Sequence, residues 1–382
     1  MMEEKPRPYF DREITALLKG TALVLMFFHH FFTFPAWITV PVSDPFIVYV
    51  APHLSHATRI CVAVFVFLTG YLDVFRTRRG FSDRLRKITD FLLSYWTVYL
   101  VLLLFAVLTK QTVFDPNLIL YELFGLKQAV MPFSWYVPFY LLSLFCLHPV
   151  GKQIERGPVR GIHCGILLPT LLFTVLAYLC RQQPEREFLY RLSFLFDNAV
   201  DFFPVMAAGT LVARFDLFRR FDRQLAASRP WTRMGAGWRA VLLLILAILC
   251  CAGRALLPRM EFVSGTVFGR TWTFRLTMDL VYAPILVWSL ARLFAMARGH
   301  VPLKTLAVIG RYSLYLWFWH DVFFKVCAKL TQPILYAPVL WPLILVWGLA
   351  ICFALSWLTD IPVRWLCAQK NRLLFPEKVS GK

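Results

Sequence analysis

Ten apolar runs, each near the length that crosses a bilayer core, set the terms on which this chain can fold. They lie at residues 14–34, 58–75, 88–109, 134–150, 162–180, 193–213, 238–257, 276–297, 305–328 and 335–358. Hydrocarbon offers no partners to backbone N–H and C=O groups, so each run is expected as a helix. The whole chain is then an all-α polytopic membrane bundle of about ten transmembrane helices, read as a single domain over 1–382. Charged residues make up 16%, against about a quarter in soluble globular proteins. The net charge of +19 would point to nucleic acid in a soluble chain. Here the basic residues sit between apolar runs and act as orientation signals, so no nucleic-acid partner is expected. Most of the 41 Lys and Arg fall on the side that holds both termini, which places both termini in the cytoplasm. Nine Cys with no CxxC and no metal-like spacing read as small buried hydrophobes, and no metal is expected. The first run is long enough to span and lacks a small-residue cleavage site, so it is expected to stay in the mature protein.

That first run, DREITALLKGTALVLMFFHHFFTF, carries Lys19 near its start and the pair His29 and His30 near its end. Eleven residues separate Lys19 from His30, almost three helical turns, so both lie on one face about 16 Å apart. Ionisable groups on an apolar span are costly unless paired or wetted, and they usually mark a functional path. The reading taken forward is proton-transfer chemistry at His30. The plainer reading has Lys19 snorkelling to the headgroups and the histidines at the far interface.

The loop FRTRRGFSDRLRK holds Arg76, Arg78, Arg79, Arg84, Arg86 and Lys87. It anchors the inner side, and clustered Arg also suits the phosphate oxygens of a cytoplasmic donor such as a coenzyme A thioester. The basic loop from Arg214 to Arg239 reads first as an anchor. The outer side differs. The aromatic loop from Thr33 to Thr58 carries His53 and His56 and leads into Arg59. Asp197 and Asp201 are four apart on one helix face. Asp279, the pair Ser134 and Trp135 with Glu122 before it, and His320 with Asp321 lie at similar depth, with Ser313 two turns before His320. Acids, histidines and aromatics at one level are what an outward-opening sugar site needs, although each aromatic alone reads as interfacial belt. There is no Gly-rich phosphate loop, HExxH, GxSxG or EF-hand spacing.

These residues together resemble the acyltransferase-3 family of integral membrane acyltransferases, found mostly in bacteria. KGTALVLMFFHH is similar to the family's basic residue, ten residues and His, with Lys19 and His30 in those places. Thr69, Gly70 and Tyr71 in VAVFVFLTGYLD resemble its Ser-Gly-aromatic step, SWYVPFY its Trp-Tyr opening of the fourth helix, and Gly310, Arg311, Ser313 and His320 its Gly-basic-x-Ser step followed by His. Lys19 stands where Arg is commoner, which weakens a bidentate phosphate role, and Thr69 replaces Ser. No extracytoplasmic hydrolase-like domain of the kind some members carry is expected within these residues.

The resemblance implies acyl transfer, most commonly of acetyl, from cytoplasmic acetyl-CoA or another acyl-CoA to a hydroxyl of a glycan or other acceptor at or across the membrane. It makes His30 a general base or a transient acyl carrier, with Lys19 and His29 beside it in the catalytic set. Arg84, Arg86, Lys87 and Arg311 are the expected donor contacts. Ser134, Trp135, Asp197, Asp201, Asp279, His320 and Asp321 are the expected acceptor contacts. The expected setting is a multi-pass protein of a bacterial cell membrane, with membrane lipid around it and a homodimer admitted. The competing readings are a transporter of a glycan or lipid-linked precursor, against which no paired broken-helix repeat is visible, and a membrane sensor, for which no output domain is visible.

Overall fold

A computed structural model describes residues 7–33, 37–76, 80–256, 264–267 and 270–375; Arg78 and Arg79 of the basic loop lie outside these described residues. The structure is a helical bundle, as expected. Its first half comprises α1 (Arg12–Thr33), α2 (Ala51–Thr58), α3 (Cys61–Asp73), α4 (Phe81–Leu108), α5 (Pro116–Glu122) and α6 (Tyr136–Glu155). Next come α7 (Pro158–Arg181), α8 (Glu187–Arg214), α9 (Leu217–Ala227), α10 (Ala236–Leu256) and α11 (Met278–Met296). The last are α12 (Val301–Arg311), α13 (Ser313–Trp319), α14 (Ala328–Leu335) and α15 (Trp341–Leu374). Among the described residues, eight helices are long and apolar enough to cross a membrane, one of them the stretch Phe46–Asp73 that joins a π-helical turn, α2 and α3. Between α10 and α11 a short antiparallel hairpin pairs β1 (Ser264–Val267) with β2 (Arg270–Thr273), Ser264 opposite Thr273.

Residues 305–328, expected as one span, are not one helix. α12 ends at Arg311, α13 begins at Ser313, and the chain continues through 3-10 turns at His320–Phe323 and Lys325–Cys327. A 3-10 turn leaves carbonyls that an α-helix would have used, and His320 Nδ1 takes one of them, the carbonyl of Trp317.

Contacts divide the chain into two compact units. The first holds Met1–Thr33, Tyr49–Arg76 and Cys146–Arg311, and the second holds Phe34–Val48, Thr77–Phe145 and Tyr312–Lys382.

In the first unit α1 packs on α12, and α3 on α8, through glycines. A Cβ added at Gly310 would sit 1.8 Å from the Ala16 carbonyl oxygen, and one at Gly20 would sit 2.2 Å from that of Leu306. A Cβ at Gly70 would meet the Met206 carbonyl oxygen at 1.9 Å, and one at Gly209 that of Phe67 at 2.2 Å. Backbones this close gain dispersion along the crossing, which is how helices associate where lipid removes the hydrophobic drive between them. Thr210 adds a bond from Oγ1 to the Gly70 carbonyl at 3.2 Å. Two glycines of the family-like motifs therefore act as points of backbone contact. Gly310→Ala should cost about 1–3 kcal/mol by overpacking, read as an earlier thermal transition in detergent, whereas Gly237→Ala, with open space around it, should leave the transition in place.

The start of α1 is fixed locally. Asp11 Oδ1 accepts from the Ile14 amide at 2.9 Å, an N-cap bond, and the carboxylate also pairs with Arg298. Upstream, Tyr9 donates its hydroxyl to Asp222 of α9 at 2.6 Å and its amide to the Tyr71 hydroxyl at 2.9 Å. Asp222 also accepts from Trp288 at 3.0 Å and Arg292 at 3.3 Å. Burial, then the Asp222 carboxylate, pushes the Tyr9 hydroxyl above its ordinary range, so it stays a donor at neutral pH.

In the second unit α4, α13 and α15 pack around one another. Trp319 donates to Thr359 Oγ1 at 2.9 Å, and Lys370 reaches Asp90 at 2.5 Å and Thr89 at 2.8 Å. α5 starts on a paired signal, Asp115 as N-cap and Pro116 in the first turn. It ends on Glu122, which is 1% exposed. That carboxylate accepts from the amides of Ala129 at 2.5 Å and Val130 at 2.8 Å and from the Tyr99 hydroxyl at 3.1 Å, while Tyr95 donates to its carbonyl at 2.6 Å. Burial pushes the Glu122 carboxyl up despite the amides that favour its charged form. Its work is to hold the loop that leads into Phe133 and Ser134.

Candidate active site

In the first unit, α1 runs unbroken from Arg12 to Thr33, so Lys19 and His30 do lie on one helix almost three turns apart. Lys19 is half-buried, whereas His29 and His30 are buried, with ring centroids 5.1 Å apart. Helix α2 closes over the end of α1 and supplies Ser55. His29 Nδ1 lies 2.9 Å from the Ser55 carbonyl oxygen and 2.7 Å from Thr33 Oγ1. A carbonyl can only accept, so the proton is on Nδ1 and Nε2 keeps the lone pair. The chain continues outward in one direction: Thr33 Oγ1 donates to Ser55 Oγ at 2.6 Å, and Ser55 Oγ donates to the Pro52 carbonyl at 2.7 Å. Every donor in that string is used, so the imidazole of His29 is held in a single tautomer and orientation.

Beside this pair lies a charge pair that the residue pattern alone did not reveal. Asp279 is fully buried, and both its oxygens bind Arg254, from Nε at 2.8 Å and from Nη2 at 3.1 Å. Arg254 is 2% exposed, and together with Arg59 and His56 it lies near enough to His29 to act on it electrostatically. Asp279, expected to meet acceptor, thus sits in a bidentate pair. The available signal was its position at the end of a span whose partner run ends in a lone Arg. Asp197 pairs with Arg181 at 2.5 Å, Asp201 is half-buried one turn along α8, and Arg311 is exposed at the end of α12.

In the second unit the chemistry gathers around Phe133. His320 is fully buried and stacks on the Phe133 ring at 5.0 Å. Its Nδ1 donates to the Trp317 carbonyl, which leaves the lone pair on Nε2 as in His29. Asp321 is 2% exposed and accepts from the Phe133 amide at 3.3 Å. Trp37 lies 5.7 Å from Phe133, and Phe324 lies 5.1 Å from it on another side. The buried Gln332 amide ties this group together. It donates to the carbonyls of Trp37 at 2.7 Å and Phe323 at 3.0 Å, and its oxygen accepts from Thr39 Oγ1 at 2.9 Å. Ser134 is buried with its hydroxyl on the Met131 carbonyl at 2.9 Å, and Trp135 packs edge-on against Tyr136. The structure therefore brings Ser134, His320 and Asp321 to one aromatic cluster.

The expected donor contacts of this unit stand at the start of α4. Arg84 and Arg86 are half-buried in its first turns, and the Lys87 ammonium lies over the Tyr140 ring, 5.4 Å from the centroid. Arg86 also presents its carbonyl to Lys370 at 3.3 Å. All nine cysteines are free thiols. Among the described residues, no three His, Cys, Asp or Glu side chains converge as metal ligands would.

A family model described as an acyltransferase domain matches the chain from residue 11 to residue 359. No curated protein and no solved structure matches it.

Proposed function

We propose, for a chain that belongs to the acyltransferase-3 family and is an integral membrane acyltransferase, O-acyl transfer from a cytoplasmic acyl-CoA to a hydroxyl of a glycan or other acceptor at a cell membrane. Acetyl is the acyl group we favour. The observation that carries this reading is the buried His29 and His30 pair at the end of an unbroken α1 that has Lys19 on it almost three turns back.

In this reading His30 takes the acceptor proton as the hydroxyl attacks the thioester carbon. The new C–O bond forms as the C–S bond breaks, the imidazolium returns its proton to the departing sulfur, and coenzyme A leaves as its thiol. An imidazole suits the step because it titrates near neutrality. His29, its Nδ1 proton committed to Ser55, holds the α1 and α2 junction rigid beside it. The candidate cations for the donor phosphates are Lys19 and Arg311 in the first unit, or Arg84, Arg86 and Lys87 in the second. In the second unit Ser134, Trp135, His320 and Asp321 are the proposed acceptor contacts, and of these Trp135, half-buried, presents the ring on which a sugar stacks.

The test is transfer of label from acetyl-CoA to surface glycan in membranes that contain the protein, scored as base-labile ester. Lys19→Arg should retain most of the transfer and Lys19→Ala should lose it. Equal transfer in all three proteins would return Lys19 to an interfacial anchor, and no labelled ester with any short acyl-CoA would overturn the assignment.

A further inference from the structure

Beyond the transfer site, the segment from Arg214 to Arg239 forms a feature that acyl transfer does not use. Helix α9 is amphipathic. Its Phe221 and Leu225 face α10 and α11, and with Trp231, Leu242, Leu246 and Trp288 they border an open groove of about 240 Å³ whose lining is wholly apolar and aromatic. The groove has a built mouth. Arg239 donates to the carbonyls of Trp231 and Thr232, each at 3.2 Å, and its guanidinium lies 5.7 Å over the Trp231 ring, which fixes the indole in place. At the inner end Phe221 meets Trp288 edge-on at 4.9 Å, and Trp288 is pinned by its bond to Asp222.

The charge around this groove is one-sided. The two acids of the segment are already engaged, Asp216 with Arg219 at 3.1 Å and Asp222 with Arg292 at 3.3 Å. Arg220, Arg223, Arg229 and Arg233 are exposed on the same short stretch. An amphipathic helix with aromatic and aliphatic side chains on one face and arginines on the other lies in the headgroup layer. A greasy slot next to a segment whose exposed side chains are guanidinium groups complements a molecule with an acyl tail and a phosphate head.

We infer that this groove binds one anionic glycerophospholipid, an acyl chain between α9 and α10 and its phosphate on the arginines of the Arg214–Arg239 segment. Exposed basic residues near the surface each favour an anionic over a neutral lipid by a factor of about five, so several together give selectivity beyond general solvation by the bilayer.

Native mass spectrometry of the purified full chain tests this, with equal amounts of phosphatidylglycerol and phosphatidylcholine added to the micelles. The unmodified protein should retain one phosphatidylglycerol over phosphatidylcholine by roughly tenfold or more. The combined change Arg220→Gln, Arg223→Gln, Arg229→Gln and Arg233→Gln should bring that ratio near one while some lipid still binds. Leu246→Trp, which fills the slot, should lower retention of both lipids. Soluble glycerol phosphate in excess should displace nothing, since it lacks the tail. Equal retention of the two lipids by the unmodified protein would overturn the inference, and that result does not depend on whether any variant folds. Displacement by glycerol phosphate, or an unaltered ratio in the arginine variant, would overturn it equally.

Discussion

His30→Ala should lower acyl transfer by about 100- to 10,000-fold, the range that a positioned proton-transfer group contributes, while the protein still inserts and elutes as folded material in detergent. The prediction separates two neighbouring imidazoles. His29 spends its Nδ1 proton on the Ser55 carbonyl, so His29→Ala removes that bond and the packing of a buried ring, while Thr58 Oγ1 still donates to the same carbonyl at 2.8 Å. Its main effect should be on stability, about 1–3 kcal/mol, with transfer well above that of His30→Ala. Turnover and thermal unfolding measured on both variants decide the matter. The reverse pattern, with transfer surviving His30→Ala and lost in a folded His29→Ala protein, would move the chemistry to His29.

Arg254→Ala should damage the fold more than the change at the Gly310 crossing. It strands the Asp279 carboxylate with no exposure to solvent, and breaking a buried pair from one side costs about 3–5 kcal/mol. Replacing both partners, Arg254→Met with Asp279→Leu, should recover most of that loss, because an apolar pair of similar volume avoids the desolvation of both charges. Thermal melts of the three proteins in one detergent check this. If the double variant is no more stable than Arg254→Ala, the ion pair is not what holds α10 to α11. If the double variant is stable but slow in transfer, the charge of Arg254 bears on the histidine pair that it lies near.

The bundle was legible in the sequence because run length and hydropathy fix where a chain can cross a bilayer. The α1 face was legible too, since one helical period relates Lys19 to His30 and nothing interrupts that helix. Spacing could not show which groups satisfy one another across helices. Asp279 reads in the sequence as an acceptor contact, and its pairing with Arg254, 25 residues away, has no signature in spacing. The Ser55 carbonyl that orients His29 is a backbone group with no signature in residue type. The break at 305–328 was hidden because aromatic and aliphatic residues continue through it, while the bond that accommodates it is a side chain meeting a carbonyl. Gly70 and Gly310 were visible as motif letters, yet their reason emerged only from the backbones that pass within reach of a methyl group.

The most direct measurement uses purified protein in sealed vesicles, acyl-labelled acetyl-CoA on one side and a hydroxyl-bearing glycan as acceptor. Ester-linked label should appear in the glycan, with one coenzyme A thiol released for each acyl group transferred. Glycan that crosses the vesicle wall without acquiring label, with no thiol released, would contradict acyl transfer and identify a carrier in place of a transferase.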